Sequence, residues 1–474
     1  MEKKSAAFIK NMAYTLSSNF ISFGVNALIV LLIPKLIGVR EYGYFQLYTL
    51  LAAYSLYCHF GWCDGIYLRN VGKKREELDK ESLAAQYKGV WLMSAVLWVF
   101  ISLGAVLFTG DSEKLWVYLA AAAAVLLASP KIYSTVLCQA LSCMKHYSAV
   151  IIAERAVYAL ILAAMLIAGV RDFRLLILGD IIGKISAVAV GAYYCRDILS
   201  VKSRPDRLKE YFRDSCINIG TGIFLLVSNI SSVLITGIVQ LAAESRWSIE
   251  TFSKVSLTFN LSKLLLVAVN AAGAVLIPVL KNTDEKRLGE LYGHIRSLLM
   301  AVLGFMLAFY VPLRAVMLIW LPQYKESLDY MALLFPMCLF ESKTSLLLNT
   351  YLKALRREKV LCAVNTAVVA VSAAVSWVLV FAVGSLDAAV TAIPCLLALR
   401  AVLLELAVSR QLKIKTARST VTEFFLAAAF MLLSRCIGSW LSMVLYLCVF
   451  GVYVFLDRKN LAAAAAGFKE MQKL

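Results

Sequence analysis

An all-α, polytopic membrane fold follows from three features of the amino-acid sequence. Of the 474 residues, 61% are hydrophobic and only 16% are charged, whereas soluble domains carry about 25% charged residues. The mean hydropathy is +0.77. Apolar runs such as 20–33, 91–108 and 363–383 recur from end to end, and a hydrocarbon core about 30 Å thick takes roughly 20 helical residues to cross.

Taken in order, about fourteen spans centre near Val25, Leu51, Val99, Val125, Leu160, Gly183, Val227, Val267, Gly304, Leu339, Val371, Leu396, Ala429 and Val449. The first follows Lys3, Lys4 and Lys10, but no small-residue cleavage site follows, so 11–34 reads as a span and not as a removable leader. The loops set the orientation. Segments 69–88, 145–147, 196–213, 281–296, 353–359 and 410–418, with the N-terminus and the tail from Arg458, hold roughly thirty of the 48 Lys and Arg. The alternate loops, such as 109–114 and 384–387, are short and hold roughly ten. The positive-inside bias makes the basic loops and both termini cytoplasmic, and it accounts for the formal charge of +18 without nucleic acid as a partner.

The longest loop, 195–214, contains Arg204-Pro205 and falls after six spans. The expected organisation is a six-helix lobe over 1–198, a cytoplasmic connection over 199–213, a second six-helix lobe over 214–408, and two additional helices with a cytoplasmic tail over 409–474. The fourth span leaves the membrane as Leu137-Cys138-Gln139-Ala140-Leu141-Ser142-Cys143-Met144-Lys145. The tenth leaves as Leu348-Asn349-Thr350-Tyr351-Leu352-Lys353-Ala354-Leu355-Arg356-Arg357. Both halves begin on the cytoplasmic side, which makes the repeat parallel and predicts a site at the repeat interface.

Polar groups in hydrocarbon cost free energy unless they face protein or water, so their helical phase reports what each helix faces. The first span carries Asn11, Thr15, Ser18, Ser22 and Asn26 on one face, and the seventh carries Asn218, Thr221, Asn229, Ser232 and Thr236 on a similar one. The eighth presents Asn260, Lys263 and Asn270; the second adds Tyr44, Tyr48, Ser55 and His59. A single stripe is accounted for by interhelical hydrogen bonds. The set, repeated on corresponding spans, predicts a shared aqueous cavity.

Charges within or near the spans sharpen that expectation: Lys131, Arg155, Lys184, Lys263, Lys343 and Arg400, joined by Glu154, Asp180, Glu341 and Glu405. Each costs about 2.5 to 3.5 kcal/mol at a helix centre, which implies a role or a partner. Asp180 and Lys184 lie four apart beside Gly179-x-x-x-Gly183 and read as a structural ion pair on a packing face. Glu341 and Lys343 lie two apart and cannot both face one neighbour on a regular helix. Lys263 has no acid within a helical turn, so it is the first candidate for a cavity cation that meets an anionic substrate. Glu154, Asp180, Glu341 and Glu405 are candidates for coupling to an ion. Prolines 130, 278, 312, 336 and 394 are candidate helix distortions.

The eleven cysteines are scattered without a C-x-x-C pair and read as small buried apolar groups; three distant histidines offer no metal site. There is no P-loop, no G-x-S-x-G and no zinc motif, so neither an enzyme nor a cofactor is expected.

The turn Pro34-Lys35-Leu36-Ile37-Gly38-Val39-Arg40-Glu41-Tyr42-Gly43-Tyr44 resembles the Gly-x-x-Glu-Tyr-Gly pattern of the polysaccharide flippases in the multidrug/oligosaccharidyl-lipid/polysaccharide exporter superfamily. Gly61 to Gly65 followed by basic residues from Arg69 is a second likeness, and Leu321-Pro322-Gln323-Tyr324-Lys325 is similar to that family's ninth-to-tenth connection, without its usual glycine. The resemblance implies two lobes working by alternating access in a bacterial cytoplasmic membrane. It implies export of a polyprenyl-diphosphate-linked oligosaccharide for surface polysaccharide biosynthesis, driven by a proton or sodium gradient or by the membrane potential. Lys263 and Arg155 would meet the diphosphate, and Lys343 would also line the cavity; the Asn and Ser stripes would bond sugar hydroxyls; Tyr44 and Tyr48 would stack on sugar rings; the polyprenyl tail would stay among membrane lipids. A cation-coupled multidrug exporter of the same superfamily would favour unpaired acids, whereas the unpaired charge here is mostly basic. A membrane polymerase or glycosyltransferase would need an extended extracytoplasmic loop.

Overall fold

The computed structural model of the chain describes residues 2–281, 288–437 and 439–471; within these, the side chains of 2–12, 16, 265, 267–281, 459 and 464–471 are outside the description. All regular structure among the described residues is helical. Among the described residues, eleven helices are long and apolar enough to cross a membrane, and twelve spans result when one pair bent by 42° is taken as a single span. The expected span near Leu51 falls on a helix of only 17 residues. The one near Val267 falls on a 33-residue helix whose second half is largely outside the side-chain description.

The chain divides into two compact units, Met1–Ile230 and Ser231–Leu474. The first holds α1 (Glu2–Leu36), α2 (Val39–Ser55), α3 (Trp62–Asn70), α4 (Lys80–Phe108), α5 (Ser112–Ala140), α6 (Met144–Ile167), α7 (Phe173–Tyr194), the short α8 (Arg196–Leu199) and the first part of α9 (Leu208–Arg246). Asp79, Asp111 and Asp172 cap α4, α5 and α7 by accepting from backbone N–H groups of the first turn. Helix α5 packs against α2, α3, α4 and α7, and α6 packs against α1 and α7.

Glycines set the closest approaches. A Cβ at Gly183 would stand 2.8 Å from the Glu154 carbonyl oxygen, and one at Gly179 would stand 3.0 Å from Ile161, so the small-residue motif read in the sequence is the seam between α6 and α7. The start of α9 lies on α3 in the same way. A Cβ at Gly65 would stand 1.8 Å from the Asn218 carbonyl oxygen, and one at Gly222 would stand 2.1 Å from that of Gly61. This backbone contact holds 208–230 to the first unit and puts the division inside α9, downstream of the 199–213 loop.

The second unit continues with α10 (Ile249–Lys281), α11 (Leu288–Leu307), α12 (Tyr310–Trp320), α13 (Ser327–Leu334), α14 (Met337–Ser342), a π-helical stretch Lys343–Leu348 and α15 (Asn349–Ala354). Then come α16 (Glu358–Trp377), a second π stretch Val378–Val383, α17 (Leu386–Leu412), α18 (Ala417–Cys436) and α19 (Trp440–Met471). Helix α17 packs against α13, α14 and α16; α19 packs against α11 and α18. Among the prolines, Pro336 sits at the bend between α13 and α14, while Pro130 and Pro394 lie inside α5 and α17, which run on through them.

The two exits compared in the sequence are built alike. Ser142 and Arg356 both adopt φ of +55°, Cys143 N–H donates to Cys138 O and Arg357 N–H to Leu352 O, each at 2.8 Å. These are twin left-handed helix terminations at residue types that rarely adopt them.

Candidate functional site

In the first unit, charges from α5, α6 and α7 meet inside the bundle. Lys131 donates to Glu154 at 3.0 Å, and Lys184 is ion-paired with Asp180. The Tyr48 hydroxyl donates to Asp180 at 2.7 Å, and the Lys184 ammonium lies 5.7 Å over the Tyr48 ring. Arg155, half-buried, lies in the field of both carboxylates yet forms no ion pair with a described residue. Three cations thus face two acids. Glu154 is 6% exposed and Lys184 9%, depths at which unpaired charge is costly.

A second polar group of this unit lies where α9 meets α3. Asn218 donates to Gln86 Oε1 at 2.6 Å and accepts from Arg69 at 2.8 Å, while Gln86 Oε1 also accepts from Trp62 Nε1 at 3.0 Å. Ser82 accepts from Gln86 and donates to Asp214 at 2.9 Å.

The second unit carries two clusters. In one, the buried Arg400 guanidinium donates to Asn365 Oδ1 at 2.9 Å, to Ser232 Oγ at 2.7 Å and to Glu341 at 3.3 Å. Glu341 is also the carboxylate whose field reaches Lys263. Lys263 is exposed, its ammonium 4.2 Å over the Phe259 ring, and it forms no ion pair with a described residue.

The other cluster is a buried tetrad. The Lys343 ammonium lies 2.5 Å from a carboxylate oxygen of both Glu405 and Glu423. Arg296 Nε is 2.8 Å from Glu405 and its Nη2 is 2.6 Å from Glu423. Thr420 and Tyr292 donate to Glu405 at 2.9 and 3.2 Å. Two cations balance two acids, with Lys343, Glu405 and Glu423 each no more than 2% exposed. Glu341 and Lys343, two residues apart and so on different faces, serve different clusters; α14 ends at Ser342 between them, where the π stretch begins.

The sequence-derived candidates therefore separate. Glu154, Arg155, Asp180 and Tyr48 come together; Glu341 joins Arg400; Lys343 joins Glu405. Tyr44 is buried and stacks on Phe173 at 5.0 Å, and Tyr48 is 1% exposed, so neither ring has a face open to a sugar in this structure. Ser18 is buried and donates to the Thr15 carbonyl of its own helix at 2.9 Å. Ser22, Asn26, Asn229 and Asn260 are half-buried. The side chains of Asn11 and Asn270 lie outside the described residues. Arg296, Glu423, Gln86 and Asn365 were not singled out in the sequence. Arg296 and Glu423 border the basic loops 281–296 and 410–418, where a charge reads as cytoplasmic; their place in a helix, at least one turn inside its start, was the available signal.

No protein-family model matches the sequence, and no curated protein matches it. The folded chain nonetheless defines a class: an all-α polytopic membrane protein with the fold of the multidrug/oligosaccharidyl-lipid/polysaccharide transporters. The lipid II flippase MurJ, solved in an inward closed conformation, shares that fold at a TM-score of 0.61 and 12% identity, over 95% of this chain and 99% of that one. A protein from Pyrococcus furiosus described as a MOP superfamily transporter is similar at a TM-score of 0.46 and 10% identity, covering 86% and 93% of the two chains. The eukaryotic MATE transporter AtDTX14 is similar at a TM-score of 0.45 and 14% identity, covering 89% and 98% of the two chains.

Proposed function

We propose that this protein is a membrane transporter, not an enzyme, that flips a polyprenyl-diphosphate-linked oligosaccharide from the inner to the outer leaflet of a bacterial cytoplasmic membrane by alternating access. The observation that carries the reading is the cationic surplus within the spans. Lys263 is exposed and without an ion pair among the described residues, and Arg155 is the third cation of a cluster with two acids. A cation kept in an apolar span without an ion pair among the described residues is suited to a ligand that brings its own negative charge, and a diphosphate brings several acceptor oxygens. The half-buried Ser22, Asn26, Asn229 and Asn260 are of the type that bonds sugar hydroxyls. The fold shared with a protein named as a flippase supports flipping as the mode of transport.

Binding of a polyprenyl-diphosphate sugar to purified protein tests the assignment. Lys263→Ala and Arg155→Ala each weaken apparent affinity roughly tenfold or more, the worth of one charge-assisted bond, while Lys263→Arg retains most of it. Undiminished binding by both alanine variants would remove the diphosphate site.

A further inference from the structure

The tetrad of the second unit is unequal in a way that assigns a proton. Glu405 and Glu423 share the same two cations, Lys343 and Arg296. Glu405 additionally accepts hydroxyl bonds from Thr420 and Tyr292, and such donors favour the ionised form of the group they reach. Glu423 has no hydroxyl donor among the described residues and has a second carboxylate beside it, which opposes its ionisation.

Access is unequal too. A cavity of about 120 Å³ between α11, α18 and α19 is lined by Arg296 and Glu423, and by Arg418, Tyr453, Asp457 and Asn460 toward the basic-loop end of these helices. It has room for several water molecules. Glu405 does not line it. The cavity reaches from the exposed Arg418 to a carboxylate that is otherwise 2% exposed.

We propose that Glu423 is a proton-binding site of this protein, loaded from the cytoplasmic side through the α11–α18–α19 cavity. The groups that face it are Arg296 and Tyr292 from α11, Lys343 from the π stretch, Glu405 from α17, Arg418 from its own helix, and Tyr453 and Asp457 from α19. Protonation turns Glu423 from an anion paired with two cations into a neutral acid, and leaves Lys343 and Arg296 to Glu405 alone. The interaction holding α18 to α11 and to the π stretch then weakens. The proton site stands on the geometry of the second unit; its use in driving transport rests on the flippase reading.

Infrared spectroscopy of the purified full-length protein, titrated with pH in water and in deuterium oxide, tests the proposal. A protonated-carboxyl band that titrates with pH is expected, and Glu423→Gln abolishes it. The same band at the same midpoint in Glu423→Gln would overturn the proposal. If that variant does not fold, the cavity rim decides. Arg418→Ala removes a cation and moves the midpoint to higher pH, whereas Asp457→Asn removes an anion and moves it to lower pH; an unmoved midpoint in both overturns the proposal. A wild-type protein that shows the band but moves no lipid-linked sugar in vesicles would sink the flippase reading and leave the proton site standing.

Discussion

Lys343 shows how little of a buried charge can be read from its neighbours in sequence. Its partners Glu405 and Glu423 lie 62 and 80 residues away, and only Glu405 stood out as an intramembrane acid. The local pair Asp180–Lys184 was legible because spacing by four places both groups on one helix face. Lys131 and Glu154 were both visible as charges in apolar runs, but their pairing across two helices was not. The tetrad gives the residue-scale prediction. Lys343→Met leaves two buried carboxylates on Arg296 alone and costs about 3–5 kcal/mol of stability, the scale found when one partner of a buried pair is removed. Thermal or denaturant unfolding in detergent measures it, and adding Glu423→Gln restores most of the loss because the uncompensated charge goes with it. A single variant as stable as the parent would mean that the four groups do not form one network.

At the scale of elements, small residues and helix ends were the legible features. Gly179 and Gly183 were read as a packing face and form the α6–α7 seam. Gly61 and Gly65 were noted only as part of a family likeness, and their physical reason is the backbone of α9, which comes so close that no side chain fits. A segment 150 residues downstream cannot be inferred from two glycines. Gly65→Ala forces a Cβ to within 1.8 Å of the Asn218 carbonyl oxygen, and overpacking of this kind costs about 1–3 kcal/mol. Gly104→Ala in α4, with nothing within 4 Å of the added carbon, is neutral or slightly stabilising through helix propensity. Equal unfolding midpoints for the two variants would contradict the docking of α9 on α3. The π stretch at Lys343–Leu348 was not legible, since nothing in its sequence departs from an ordinary helix; what the sequence did show was that Glu341 and Lys343 could not share a partner.

Across the whole molecule, the alternation of basic and short loops needs only hydropathy and charge, which is why the polytopic class was legible without any motif. The likeness of the exits at 137–145 and 348–357 was legible, but the left-handed terminations in which both end were not. Nor was the division of the chain inside α9, because a continuous helix carries no boundary in its sequence. Stripes of Asn and Ser overstated the polar surface available to a substrate. Ser18 turns to its own backbone and Asn218 is consumed by Gln86 and Arg69, so the cationic surplus, more than the hydroxyl and amide stripes, is what distinguishes these spans.

Transbilayer movement of a labelled polyprenyl-diphosphate oligosaccharide in vesicles containing the purified protein is the most direct measurement. Protein-dependent appearance of the sugar in the opposite leaflet, lost in Lys263→Ala and retained in Lys263→Arg, is the result expected of a flippase whose surplus cations receive the diphosphate. Movement no faster than in protein-free vesicles, or equal movement by Lys263→Ala, would contradict it.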